Sequence, residues 1–550
     1  MKINKGIIDK IKFSTIRDTL LLSSATFLCF LMPGFIFGIY MQNYTVRLEI
    51  SFLLAFILAS ILLSAAKPKI ISIIIIAFIM LLEFMQFSNL FYFCVPLSPF
   101  SIDLFFKEQG EVWESALSTF PQSLYHIFIV AFCYISLIIL YLKFSTQNKT
   151  YIATALLIIL LALLPYKALY KTPKIANFMP RNDRVSVYNS LMSFSGYAFI
   201  LAGKNNSSIT SYLPYEIEKI ENNNPADTNI IIIVGESVNS SHIGLLGYDR
   251  NTSPLMDNLA LNDKNFIAKE AISSSILTKN SLASFLNSTY EHDNVNHIMM
   301  QKTHLVKLAK ENGFNTFYIS NQTEVEAAFF APNYIDTLKT KEDYFLRSEK
   351  IGDLVLLEEI KKHKQDFIKG KNFIIIHQRN PHSPYEKGYR AYKGGGVDLF
   401  PLSDDVYKYR INSYDNAMIF NDYIIHSLFD FFKNLGPKTY IMFVPDHGEA
   451  LGENGKWGHA ILDFNVAKIP FYASLYNGDD SVYLDILENL HYPTHYEIAN
   501  LIANLLGVKI HNPNIKDKNI FYINGVDISG NGGYIKGIKN EDKIEITTLN

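Results

Sequence analysis

Five stretches in the first third of the chain, about 19–41, 47–66, 70–93, 125–144 and 151–170, are almost unbroken in apolar residues. Crossing a bilayer takes roughly 20 such residues, so each stretch predicts a transmembrane helix. The first is too long for a cleaved signal peptide, lacks a small-residue cleavage site, and is followed at once by further spans. After Thr228 the pattern changes. Short β-rich runs, Ile230–Val234, Thr316–Ile319, Phe373–Ile376 and Tyr440–Val444, alternate with helical stretches such as Lys302–Asn312 and Ile411–Leu435. This alternation predicts a layered α/β domain with a largely parallel sheet. The chain therefore reads as a transmembrane domain over 1–170, a connector over 171–226 and a catalytic domain over 227–550.

Charge orients the spans. Lys2, Lys5, Lys10, Lys12 and Arg17 precede the first, Lys67 and Lys69 lie between the second and third, and Lys143 and Lys149 follow the fourth. Basic loops stay cytoplasmic. The loop 95–124 carries Asp103, Glu108, Glu111 and Glu114 against Lys107, so it is expected outside. An odd number of spans then delivers everything after Tyr170 to the outer side. Asn205-Asn206-Ser207-Ser208 and Asn222-Asn223-Asn224-Pro225 mark turns in the connector, and Val185–Leu201 reads as an amphipathic helix near the membrane surface or a surface helix of the soluble domain. The net charge of −2 shows no basic excess, which gives nucleic-acid binding no electrostatic support. The three cysteines, Cys29, Cys94 and Cys133, all lie in the membrane third. Thiolate zinc sites and disulfides are thereby excluded from the rest.

In sheets of this kind function gathers beyond the carboxyl ends of the strands. One run ends in Gly235-Glu236-Ser237, another in His377-Gln378-Arg379-Asn380-Pro381-His382, and a third in Pro445-Asp446-His447-Gly448-Glu449, followed by Gly458-His459. Carboxylate and imidazole donors suit zinc, and manganese less well. Each signal has a plainer reading. A glutamate after a strand can be a helix N-terminal charge, an Asp-His pair a surface turn, and His377 a buried orienting group rather than a ligand. Their combination in one domain points to a metal.

The segments Ile231–Pro254 (IIIVGESVNSSHIGLLGYDRNTSP), Ile411–Asp422 (INSYDNAMIFND) and Val444–Gly455 (VPDHGEALGENG) resemble the lipid A and lipopolysaccharide-core phosphoethanolamine transferases, the family that includes the mobile colistin-resistance enzymes. The five-span N-terminal part fits the same family. The resemblance implies an alkaline-phosphatase/sulfatase-like fold for the C-terminal domain, carried by a multi-pass protein of the bacterial inner membrane with that domain in the periplasm. It matches the family's metal ligands to Glu236, Asp446 and His447, and its threonine nucleophile, also a ligand, to Thr278, with Ser281 at the family's offset. Two further histidines, which hold substrate phosphate or a second metal, match His382 and His459. Relatives carry disulfides in this domain, one flanking the nucleophile, whereas this domain has no cysteine. For the ethanolamine head group relatives use Asn, Thr and Glu; here Asp103, Lys107 and Glu111 occupy the matching spacing, and only Glu111 agrees.

The implied reaction uses zinc, one ion or two, to activate Thr278. Phosphatidylethanolamine donates phosphoethanolamine through a covalent threonine intermediate, and lipid A or another envelope glycolipid or glycan accepts it. Three other readings stay open: a phosphoglycerol transferase of the lipoteichoic-acid synthase type, a membrane-anchored sulfatase or phosphatase, and a non-catalytic protein that keeps the fold. No Cys/Ser-x-Pro/Ala-x-Arg motif of the sulfatases stands near 270–285.

Overall fold

The computed structural model describes residues 5–40, 50–93, 96–107, 109–144, 150–171, 175–180, 184–202, 212–221, 224–389, 399–528, 530, 532–540 and 543–549. Two compact units divide the chain, Met1–Asn205 and Asn206–Asn550.

The first unit is helical: Lys5–Tyr40, Ile50–Ala65, Lys69–Phe93, Pro99–Lys107, Gln109–Lys143 and Tyr151–Tyr166. Among the described residues three segments are long and apolar enough to cross a membrane, Arg17–Phe35, Lys69–Phe91 and Tyr151–Lys171. The other two expected spans fall on shorter apolar stretches, Leu53–Ala65 and Ile127–Lys143. Large apolar side chains such as Leu54, Ile74, Phe128 and Ile159 face outward. Polar pairs turn inward, with Thr26 Oγ1 and Tyr141 OH 2.9 Å apart and Ser23 Oγ and Ser64 Oγ 3.0 Å apart. This inverted distribution suits a lipid surround, where interhelical hydrogen bonds substitute for hydrophobic association.

The expected amphipathic segment forms the helix Ser186–Gly196 and a wider turn, Tyr197–Leu201, but it presents no polar face to solvent. Its hydroxyl face is buried. Ser186 Oγ and Ser190 Oγ donate to the two carboxylate oxygens of Glu83 at 2.7 and 2.8 Å, and Ser193 Oγ donates to the Leu97 carbonyl at 2.7 Å. Glu83 sits on Lys69–Phe93 and is fully buried. A charge on an apolar helix needs such donors, and they explain why the segment is Ser-rich.

The second unit is built on a seven-stranded sheet. Its strands are β1 (Thr228–Gly235), β2 (Ile267–Ile272), β3 (Asn315–Ser320), β4 (Thr337–Lys339), β5 (Lys371–His377), β6 (Lys438–Pro445) and β7 (Lys468–Tyr476). They lie in the order β2-β7-β6-β1-β5-β3-β4. Strands β6, β1, β5, β3 and β4 pair in parallel. Only β7 runs against the others, antiparallel to both β6 and β2. Central strands of such sheets are covered on both faces and read as continuous apolar runs. The IIIIV run of β1 is such a case, and all of it is buried. The expected strands lie within β1, β3, β5 and β6; β2, β4 and β7 were not expected. A three-stranded antiparallel sheet, Ile520–Asn524, Tyr534–Lys539 and Ile544–Leu549, packs Phe521, Ile523 and Ile535 against Ile272 and Ile276.

Candidate functional site

Register sets the first geometry. Val234 of β1 stands opposite His377 of β5 and Val444 of β6, and Gly235 opposite Pro445. The ladder runs one step further, with Asp446 N–H donating to the Gly235 carbonyl at 3.0 Å. Glu236 and Asp446 thus leave neighbouring strands at the same level. Ser237 adopts a left-handed backbone, φ 55°, a conformation uncommon outside glycine. The turn aims its N–H at Asp446 Oδ1, 3.0 Å away, while its hydroxyl donates to Glu236 Oε1 at 2.9 Å. Gly448 must be glycine, since a Cβ there would lie 2.8 Å from the Lys468 carbonyl.

One metal-competent group emerges among the described residues: Glu236, Asp446 and His447, all buried, with ligand atoms within 4.8 Å of one another. His447 Nδ1 lies 2.8 Å from the Gly448 carbonyl, which can only accept, so the proton sits on Nδ1 and Nε2 offers a lone pair. Burial keeps the imidazole below its ordinary pKa, in the neutral form that binds metals. Asp446 Oδ1 accepts from the Ser237 and His447 N–H groups. Its other oxygen is buried without a hydrogen-bond partner, 3.3 Å from His447 Nε2. Two electron pairs facing each other in a buried place, beside a second carboxylate, fit a cation.

Thr278 opens the helix Thr278–Leu286 and is half-buried. Its Oγ1 lies 3.1 Å from His447 Nε2. The preceding loop and the helix's first turn are tied to the end of the small sheet's first strand, with Ser275 Oγ donating to the Asn524 carbonyl at 3.1 Å and Asn280 Nδ2 to the Gly525 carbonyl at 2.9 Å. The rings of His382 and His459 lie 5.6 Å apart, and those of His459 and His447 4.8 Å apart. His382 Nδ1 faces the Ser383 carbonyl at 2.5 Å, and burial, reinforced by the Arg379 charge, holds its pKa well below the ordinary value. His459 Nδ1 lies 2.9 Å from Glu449 Oε2, whose partner oxygen accepts from Tyr385 OH at 2.8 Å.

The structure therefore brings Glu236, Thr278, Asp446, His447, His382 and His459 into one neighbourhood. His377 is not among the three grouped ligands: it is buried, its Nδ1 lies 2.9 Å from Tyr318 OH, and its ring packs at 5.4 Å from that of Phe330. Asp103 lies on Pro99–Lys107, while the side chains of Lys107 and Glu111 lie outside the described residues.

Sequence reasoning missed several supports. Gln322, just beyond β3, donates to Glu236 Oε2 at 2.8 Å and accepts from Arg379 Nη1 at 3.1 Å. The strand-end rule, applied to β3, would have found it. Asp415, on the long helix Val406–Lys433, takes His242 Nδ1 on one oxygen and Tyr248 OH and Arg250 Nη1 on the other, at 2.8, 3.0 and 2.8 Å. Burial opposes charge on His242, but Asp415 and Glu453 outweigh it and raise its pKa. Two of the motif segments are thus clamped to each other.

Residues 228–468 match the family model described as Sulfatase. Among curated proteins, the Kdo(2)-lipid A phosphoethanolamine 7''-transferase of Salmonella typhimurium is 27% identical over 41% of this chain and 40% of its own length. The phosphoethanolamine transferase EptC of Escherichia coli K12 is 26% identical over 40% of this chain and 39% of its own. The chain thus spans about 40% of the length of these relatives. Among solved structures, the integral membrane protein lipooligosaccharide phosphoethanolamine transferase A of Neisseria meningitidis superposes with a TM-score of 0.57. That match covers 90% of this chain and 95% of that one at 16% identity, a likeness of fold. The relatives bear out the resemblance carried by the motif segments.

Proposed function

We propose that this chain, a sulfatase-family protein similar to the lipid A phosphoethanolamine transferases, moves phosphoethanolamine from phosphatidylethanolamine to lipid A or another envelope glycolipid or glycan. We place it in the bacterial inner membrane on five spans, with the second unit periplasmic. The observation that carries the reading is the Thr278 hydroxyl 3.1 Å from His447 Nε2, beside two buried carboxylates that fit a divalent cation.

Glu236, Asp446, His447 and Thr278 would hold zinc, whose chemistry is to lower the pKa of a nearby oxygen and neutralise the carboxylates. The remainder falls to the chain's own residues. Thr278 Oγ1 forms a bond to the donor phosphorus, and the bond from phosphorus to the diacylglycerol oxygen breaks. Glu449 orients His459, and the Ser383 carbonyl orients His382, so that one of the two neutral imidazoles takes the Thr278 proton and then gives it to the leaving diacylglycerol oxygen. The acceptor oxygen then attacks the phosphothreonine and regenerates the hydroxyl.

Full-length protein in mixed micelles with zinc, phosphatidylethanolamine and Kdo(2)-lipid A should release diacylglycerol and add one phosphoethanolamine to the acceptor, read by mass spectrometry. Phosphatidylglycerol should be inert. Transfer of glycerophosphate would move the chain to the lipoteichoic-acid type, and release of free phosphoethanolamine alone would make it a hydrolase. His382→Ala and His459→Ala should each lower transfer by about 10²–10³-fold while zinc occupancy stays at the wild-type level. A fully active variant would remove that histidine from the site.

A further inference from the structure

The helix Thr278–Leu286 and the strand end at Asp446 come from distant parts of the chain, and the domain has no cysteine to join them. The junction is polar, and His495 is its centre. His495 is fully buried at the first position of the helix His495–Leu505, whose start is fixed by a reciprocal cap between Thr494 and Glu497. Its Nε2 lies 2.9 Å from the Pro445 carbonyl, one residue before Asp446. That oxygen only accepts, so Nε2 carries the proton and Nδ1 is an acceptor. Around Nδ1 stand the Ser274 N–H at 3.3 Å, Ser274 Oγ at 3.2 Å and Ser281 Oγ at 3.3 Å. Ser281 also reaches the Asp446 carbonyl, and Ser273 Oγ reaches it at 2.5 Å. The His495 ring lies 4.8 Å from that of Phe285, on the same helix as Thr278.

We infer that His495 is a positioning residue that fixes the distance between the Asp446–His447 strand end and the Thr278 hydroxyl. One ring holds the strand through Nε2, the loop through Nδ1 and the helix through its face. It touches neither substrate nor ligand atoms, and acts by keeping Thr278 in attacking position. The inference rests on Thr278 as nucleophile but not on the identity of the donor.

The test uses full-length protein with zinc and two variants that each keep half the brace. His495→Asn retains an acceptor near Nδ1 and loses the reach to Pro445. His495→Gln retains an N–H near Nε2 and loses the acceptor. Each should slow formation of the Thr278 adduct by about 10²-fold, the scale of a displacement near 1 Å, with donor KM and zinc affinity within about threefold of wild type. Amide exchange across Ser273–Ser281 should quicken in both, while exchange in Lys438–Pro445 stays unchanged. Adduct rates within threefold of wild type in both variants would overturn the inference, as would a rate loss that merely follows zinc loss. If the wild type itself forms no adduct on Thr278, the nucleophile assignment fails. The exchange measurement still reads the brace, and unaltered exchange across Ser273–Ser281 would remove it as well.

Discussion

Thr278→Ala should abolish adduct formation and lower transfer by at least about 10³-fold, since a missing nucleophile leaves only binding and electrostatic stabilisation. Phosphatidylethanolamine without an acceptor should give wild-type protein carrying one phosphoethanolamine, on the peptide spanning Ala271–Leu286, with diacylglycerol released. The variant should show neither signal and keep its fold, because among the described residues the half-buried hydroxyl hydrogen-bonds only with His447 Nε2, at 3.1 Å. Thr278→Ser should retain measurable activity. The surrounding hydroxyls supply internal controls, because each is already directed elsewhere. Ser273 faces the Ser275 and Asp446 carbonyls, Ser275 those of Asn524 and Gly525, and Ser281 that of Asp446. Phosphoethanolamine recovered on one of these serines, with Thr278 unmodified, would overturn the assignment.

Loss of metal should be as complete when the carboxylates lose their charge. Glu236→Gln and Asp446→Asn keep shape and an acceptor oxygen, which matters because Asp446 Oδ1 accepts two backbone N–H groups whose orphaning costs about 1–3 kcal/mol each. Each substitution should weaken zinc binding by more than about 10²-fold, beyond the effect of losing an outer partner, and transfer should fall with occupancy. Metal content after dialysis and competition against a chromogenic chelator measure this directly. Stoichiometric zinc in the double variant would show that the ion sits elsewhere.

The strands nearest the chemistry were the most legible, because β1, β3, β5 and β6 are apolar runs buried on both faces. β7 is as fully buried, but Pro470 near its start and Ser474 within it interrupt the apolar run; β4 is only three residues long, and pairing against β7 is what defines β2. Glu236, Asp446 and His447 were readable because strand register alone brings them together. Thr278 is singled out only through resemblance: it stands among serines, and nothing local separates one hydroxyl from the next. His495 carried no signal at all, since its role depends on contacts with Pro445 and Ser274 rather than on its neighbours in sequence, and Glu449 stood out as part of the Asp446-His447-Gly448-Glu449 run without showing that it meets His459. The segment Val185–Leu201 misled for a related reason. Its aromatic and aliphatic content reads as an amphipathic or surface helix, whereas Ser186 and Ser190 meet a carboxylate that lies 103 residues before Ser186.

That separation has a consequence for how the protein is made. Glu83 leaves the ribosome well before Ser186 and Ser190, which follow it by 103 and 107 residues. At about 5–20 residues per second, its helix waits several seconds for the hydroxyls that will satisfy it. During that interval the Glu83 carboxyl is without the two hydroxyls it accepts from in the folded protein. Completion of the Ser186–Gly196 helix therefore comes late in synthesis, and a chain ending before it would lack both hydroxyls that meet Glu83.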